Sequence, residues 1–287
     1  MIPAALREAL AAATGSAACD EAEPVAGGCI NRCYAARRGS ERWFVKLNDG
    51  SFADAFAGEA DGLAALAAAG ARTPIPIAHG RGEHGSYLVL EWLPLGRGDA
   101  QGFRALGEML ARIHESHRDA YGWTRDNRIG ATPQANGRIA SWREFWVERR
   151  LRPQLALAAR NGHHLDADRA VAAATALLAA HVPPPALLHG DLWGGNAAFL
   201  ADGTPVLFDP AVYAGDAEAD LAMTELFGGF PAAFREGYGA CRPVDAGYAV
   251  RRDLYNLYHV LNHLNLFGGG YLAQAQRLIA SLAAAAR

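Results

Sequence analysis

The sequence predicts an α+β chain built as two unequal lobes: a small β-rich one over residues 1–92 and a larger, mainly helical one over residues 93–287. Short apolar runs separated by glycine turns crowd the first third. Helical periodicity dominates beyond a Pro/Gly-rich stretch at residues 92–99. One β island, at 197–209, interrupts the helices, directly after the segment richest in reactive side chains.

In order, Leu6 and Leu10 at helical spacing, with Arg7 and Glu8 beside them, read as a short amphipathic helix and not as a secretory leader. Residues 25–30 start a strand and a Gly-Gly turn, 33–37 make a second strand, and 42–47 a third beyond a turn at Arg38-Gly39-Ser40. Phe52, Phe56, Leu63 and Leu66 give residues 52–69 an apolar helical stripe that Gly70 stops. An extended segment at 74–77 and a buried strand at 86–91 follow. Beyond the boundary, residues 103–117, 142–159 and 168–180 read as helices. In the island, Asp202-Gly203 between residues 197–200 and 206–209 is a hairpin signal. Helices resume at Ala217.

Composition narrows the function. Half of the 287 residues are hydrophobic (51%) and 20% are charged, which supports a core and excludes wholesale disorder. A net charge of −3 offers no basic field for nucleic acid or an anionic membrane, and no apolar stretch reaches the length of a membrane span. The expected compartment is the cytoplasm and the expected assembly a monomer or weak dimer. Four cysteines, none in a C-x-x-C pair, make neither a disulfide framework nor a zinc site.

The basic residues are uneven: of 27, one is lysine, Lys46. Drift toward arginine replaces lysine wherever only a positive charge is needed. It fails where a compact ammonium on a flexible stem is required. Lys46 ends the third strand, where the kinase template places its phosphate-binding lysine, paired with a glutamate of the next helix. That helix offers Glu59, with Asp54 and Asp61 as competing acids.

The segment His189-Gly190-Asp191-Leu192-Trp193-Gly194-Gly195-Asn196, then the hairpin, then Asp209, has the spacing H-G-D-x-x-x-x-N…D. An Asp and an Asn five apart on one loop aim a carboxylate at a hydroxyl and an amide oxygen at a metal; the second Asp completes a hard-oxygen site. Phosphoryl transfer to an alcohol needs this set. Gly27-Gly28-Cys29-Ile30-Asn31 offers backbone amides to phosphate, with a plain hairpin turn as the alternative. Cys29 is either an exposed, oxidisable thiol beside the nucleotide or an inert buried one. Glu91-Trp92-Leu93 is the expected hinge, its backbone meeting the adenine.

The chain resembles the fructosamine kinases, or ketosamine 3-kinases, relatives of the aminoglycoside phosphotransferases. The resemblance covers nearly the whole chain. It rests on Gly27-Gly28-Cys29-Ile30-Asn31, Phe56-Ala57-Gly58-Glu59, Tyr121-Gly122-Trp123 with Asp126-Asn127 and Ile129-Gly130, Pro133-Gln134, Ser141-Trp142, and Arg150-Leu151 with Pro153-Gln154-Leu155. It continues through His189-Gly190-Asp191-Leu192-Trp193, residues 218–230 and Leu254-Tyr255 to Asn262-His263. The resemblance implies a two-lobed protein-kinase-like fold and ATP- and Mg2+-dependent phosphorylation of a sugar 3-hydroxyl on a ketosamine, small or protein-bound. The adduct then decomposes and frees the amine. By the same resemblance Asp191 positions or deprotonates the hydroxyl, Asn196 and Asp209 hold magnesium, and Lys46 with Glu59 grips the phosphates. Trp193 and His263 are assigned to the sugar, with plain core as the alternative for Trp193. Two departures stand out: Pro210-Ala211 follows Asp209 instead of Phe-Gly, and Ala217 precedes Glu218 where the family often has Arg.

Rival readings are another small-molecule kinase, of an aminoglycoside or amino alcohol, and a non-catalytic nucleotide-binding regulator. His259 and His263, four apart, lack the following Glu of a zinc helix and default to satisfied core histidines. His163-His164 reads as solvated, and the Trp142–Trp146 cluster as core.

Overall fold

The computed structural model describes residues 2–25 and 30–287, so Gly27, Gly28 and Cys29 lie outside the described residues. The chain opens with α1 (Ala4–Thr14), β1 (Glu21–Val25), β2 (Arg32–Arg38), β3 (Glu41–Asn48), α2 (Ala53–Ala68), β4 (Pro76–Gly82) and β5 (Gly85–Glu91). The strands form one antiparallel five-stranded sheet in the order β1-β2-β3-β5-β4.

The period-2 alternation of strands sorts β3 into two faces. Trp43, Val45 and Leu47 join Val89 of β5 under Leu6, Ala9 and Leu10 of α1. Phe44, with Leu88 and Leu90 of β5, meets Phe56, Ala60 and Leu63 of α2. Lys46 shares the face of Phe44, so its ammonium is delivered toward α2. The extended segment expected at residues 74–77 leads into a strand that starts later and runs longer, β4. Its glycines hide the pattern, and pairing to β5 sustains it.

The larger lobe comprises α3 (Ala100–His114), β6 (Asn127–Ile129), β7 (Thr132–Gln134), α4 (Trp142–Phe145), α5 (Arg152–Arg160), α6 (Ala167–Leu177), β8 (Ala186–Leu188), β9 (Ala197–Phe199), β10 (Pro205–Leu207), β11 (Tyr213–Gly215), α7 (Ala217–Leu226), α8 (Ala232–Cys241), α9 (Tyr248–Phe267) and α10 (Leu272–Ala285). The expected single helix over 142–159 carries a π-helical stretch, Trp146–Leu151. There the fully buried Arg150 stacks 4.0 Å from the Tyr213 ring and donates to the Ala135 carbonyl (2.7 Å) and to Asn136 Oδ1 (2.6 Å). Trp142, Phe145 and Trp146 lie in the same core.

Two small ladders, β9–β10 and β8–β11, carry the chemistry. The loop 189–196 leaves β8 for β9, and Asp209 lies between β10 and β11. The Ala211 N–H donates to the His189 carbonyl at 2.9 Å, and the Phe208 N–H to the Asn196 carbonyl at 3.1 Å, so the two loops run side by side. Contacts from the larger lobe hold α2. The Trp123 Nε1–H donates to Asp61 Oδ2 at 2.6 Å. A Cβ on Gly62 would stand 3.1 Å from Val212 and 3.2 Å from Pro210. The residue after Asp209 therefore packs directly on the helix that carries Glu59.

Candidate active site

Lys46 is 3% exposed, and its Nζ donates to Glu59 Oε1 at 2.7 Å and to Asp209 Oδ1. Burial alone would depress an ammonium; the flanking carboxylates of Asp209 and Glu59 outweigh it and hold Lys46 firmly charged. Burial pushes Glu59 above the usual carboxylate range, and Lys46 pulls against that. Of the competing acids, Asp61 is engaged by Trp123 and Asp54 has no part in the lysine's contacts.

Asp209 is the one non-glycine residue with positive φ (54°) among the described residues. Side chains rarely tolerate that backbone, and Asp does so better than most. The flanking hydrogen bonds to His189 and Asn196 hold it there, and its carboxylate, with about half its surface exposed, faces the cleft. Asn196, buried between the loops, donates from Nδ2 to the Asp191 carbonyl (2.8 Å), to Asp191 Oδ2 (3.2 Å) and to the Asp209 carbonyl (3.4 Å). Its amide nitrogen is thereby committed, and Oδ1 has no hydrogen-bond donor among the described residues. Asn196 Oδ1 and the Asp209 carboxylate are hard oxygen donors on adjoining loops, a set that fits magnesium. The ammonium already drawn onto Asp209 shows that this carboxylate attracts a cation.

Asp191 is half-buried. Burial and the neighbouring charge of Asp209 push its carboxyl up to about 7, and Asn196 pulls it back. His189 orients the loop through its backbone neighbours. Its Nε2–H donates to the Phe208 carbonyl (3.0 Å), and its Nδ1 accepts from the Asp191 N–H (3.3 Å), which requires the neutral ring that burial also favours. Gly190 has φ +82°, and a Cβ there would stand 2.1 Å from the Ala211 carbonyl oxygen, so no other residue fits.

Asp220, which the sequence places in the family segment 218–230 without a site role, proves to anchor the loop. This fully buried carboxylate of α7 accepts from the His189 N–H at 2.7 Å, the Gly190 N–H at 2.8 Å and His114 Nε2–H at 3.2 Å. Burial would raise it, but the His114 hydrogen bond and the other donors outweigh that and hold it below the usual range. Nearby, Glu218 finds its cation in Arg251 at 2.6 and 2.8 Å.

At the other end of the cleft Trp193 is 40% exposed, so it is not core. Its ring meets Phe227 edge-on at 6.4 Å, and Phe227 lies 4.3 Å from the His263 ring, which in turn lies 5.3 Å from Tyr271. His263 donates from Nδ1 to the His259 carbonyl (2.9 Å), leaving Nε2 as an acceptor. His259 is core but not satisfied, since its Nδ1 has no partner among the described residues. Phe227, seen only within the family segment 218–230, and Tyr271, with no sequence signal, are joined to Trp193 by the tertiary fold alone.

Asn31, Glu91 and Leu93 line the same cleft, of about 970 Å³, as Lys46, Asp191 and Asp209. Asn31 Oδ1 accepts from Asn48 Nδ2 at 2.7 Å. The Glu91 carboxylate is taken by Arg72 at 2.6 and 2.9 Å and its N–H donates to the Ile75 carbonyl at 2.9 Å, leaving its carbonyl for a ligand. A second cavity of about 1110 Å³, between α2 and β4, is lined by none of Lys46, Asp191, Asn196 and Asp209. A cluster of His181, Asp216 and Glu218 has metal-type ligands, but Asp216 accepts from Tyr255 and His181, and Arg251 holds Glu218. No helix among the described residues is long and apolar enough to cross a membrane.

Comparison with known proteins gives the family. A Synechocystis protein named "Probable ketoamine kinase" is 52% identical over 262 residues, covering 90% of this chain and 89% of that protein. The chloroplastic protein-ribulosamine 3-kinase of Arabidopsis thaliana is 40% identical over 270 residues, covering 89% of this chain and 80% of that one. The crystal structure of a candidate fructosamine-3-kinase from Haemophilus somnus superposes with a TM-score of 0.91 at 30% identity, over 97% of this chain and 96% of that one. The choline kinase of Streptococcus pneumoniae shares the kinase-like fold alone, with a TM-score of 0.64 at 17% identity over 97% of each chain. The family model for fructosamine kinase matches residues 2–285, and the chain belongs to the fructosamine kinase family.

Proposed function

We propose that this protein transfers the terminal phosphoryl group of ATP to the 3-hydroxyl of a ketosamine, small or protein-bound, and that the phosphorylated adduct then decomposes to free the amine. Family membership over nearly the whole chain carries the acceptor class, supported by relatives named for ketoamines and ribulosamine.

The residues divide the work. Lys46, kept charged by Glu59 and Asp209, swings its ammonium from Asp209 to the nucleotide phosphates. The backbone of Glu91 and Leu93 takes the adenine edge, and Asn31, with Gly27 and Gly28, is assigned to the phosphates. Asp191, ionised above neutrality, accepts a hydrogen bond from the acceptor hydroxyl and takes its proton as the new O–P bond forms and the bond to ADP breaks. A magnesium ion on Asn196 and Asp209 would supply charge neutralisation on the phosphate oxygens. Trp193 packs on the C–H face of the sugar, and His263 Nε2 accepts from one of its hydroxyls.

An acceptor panel with an ATP-consumption readout tests the assignment. Ribulosamine and fructosamine are expected to drive magnesium-dependent ADP release, and choline and an aminoglycoside are not. Turnover of choline or the aminoglycoside alone contradicts it.

A further inference from the structure

The charged groups lining the cleft are mostly matched within the protein. Lys46 is held by Glu59 and Asp209, and Glu91 by Arg72. Arg128 is different. It stands in β6 and lines the same cleft as Asp191 and Asp209, and no carboxylate pairs with it among the described residues. Asp49, the acid whose charge it influences, is already capping the following turn by accepting from the Ser51 N–H at 2.8 Å.

The guanidinium is nonetheless held in place. Its Nη1 donates to the Ala131 carbonyl at 2.9 Å across the turn of its own hairpin, and its carbon lies 4.8 Å from the Phe52 ring centroid. Among the described residues, Nε and Nη2 have no protein acceptor. A fixed fork with its Nε–Nη2 edge uncommitted suits a planar oxyanion, which it binds through paired N–H donors. The hairpin's position indicates which end of the cleft it serves. A Cβ on Gly130, at its tip, would meet Ile30 at 3.0 Å and Leu266 at 3.1 Å, and Leu266 belongs to α9, the helix that presents His263. The nucleotide phosphates already have Lys46. An acceptor bringing its own negative charge past Asp191 and Asp209 needs a separate cation, and Arg128 is the unpaired one in the cleft wall.

We propose that Arg128 is a specificity-determining residue that binds an oxyanion carried by the acceptor, the carboxylate of a glycated amino acid, and so favours anionic ketosamines over neutral ones. The proposal rests on the ketosamine reading. The test compares kcat/KM for a ketosamine of an amino acid with that for the matching carboxamide, in wild type, Arg128→Gln and Arg128→Lys, with thermal melts to confirm folding. Wild type is expected to prefer the carboxylate. That preference should fall roughly tenfold in Arg128→Gln, as for loss of a charge-assisted hydrogen bond, and recover in part in Arg128→Lys. Equal efficiency on both acceptors in wild type, or a preference unmoved in Arg128→Gln, overturns the proposal and leaves the ketosamine reading standing. A raised KM for ATP with an unmoved preference places Arg128 on the nucleotide phosphates and also overturns it. Turnover of neither acceptor by wild type overturns the ketosamine reading and this proposal together.

Discussion

Lys46 and Asp209 stand 163 residues apart in sequence and meet as an ion pair across the cleft. Lys46 also bonds Glu59 at 2.7 Å, so one ammonium joins β3, α2 and the loop after β10. Arginine at this position keeps the charge but brings a planar fork too large for the buried site. Lys46→Arg is therefore expected to lower kcat/KM for ATP by about 10²-fold, measured by steady-state kinetics at saturating acceptor. Normal ATP kinetics would make the lone lysine an accident of composition.

Asp191 combines a functional and a stability cost. As the base it is expected to give a rate that rises as pH passes through about 7, and Asp191→Asn is expected to lose about 10²–10⁴ in turnover while still binding nucleotide. Its folded-state pKa lies above the ordinary 3.8, so the native state is penalised as the pH rises from that value through about 7. Asp191→Asn should therefore melt about 2–4 °C higher than wild type at pH 8, with the difference vanishing near pH 4. Paired melts at the two pH values check this.

Asp220 carries no substrate contact in this account, yet three donors converge on it. Asp220→Asn keeps the size but turns an amide N–H2 toward at least one of those donors. The expected result is a loss of about 1–3 kcal/mol in urea unfolding. With it should go a lower kcat and a nearly unchanged KM for ATP, because the catalytic loop loosens while the Lys46 site does not.

The aromatic end of the cleft makes a separate prediction. Trp193→Ala and Phe227→Ala are each expected to raise the acceptor KM about tenfold with little change in the KM for ATP, in line with the loss of ring contact on a sugar face. Initial rates with each substrate varied in turn separate the two. A matching rise in both constants would point to general damage instead.

Lys46, Glu59, Asp191, Asn196 and Asp209 were legible because phosphoryl transfer constrains residue type and spacing together, and because strand alternation determines which face Lys46 shares. The hairpin of β9 and β10 was legible from its Asp-Gly turn. Asp220 was seen only within the family segment 218–230: a lone acid on a helix does not announce its partners, and its role exists only where α7 meets the loop at His189. Phe227 and Tyr271 become site residues through packing against His263, which no spacing rule connects. The π-helical stretch escaped notice because it answers to the tertiary environment of Arg150, stacked on Tyr213, and not to local propensity. The β6–β7 hairpin was seen only as a family signature, its three-residue strands being too short for periodicity.

The central claim, a kinase acting on the 3-hydroxyl of a ketosamine, is tested most directly by product analysis. Purified protein would be incubated with ATP, magnesium and either ribulosamine or fructosamine, and the product followed by phosphorus NMR together with an assay for released amine. The account predicts a ketosamine 3-phosphate that forms only with magnesium and then gives way to free amine, a reaction abolished in Asp191→Asn. ATP consumption without a phosphorylated ketosamine, or phosphate appearing at another hydroxyl, would contradict it.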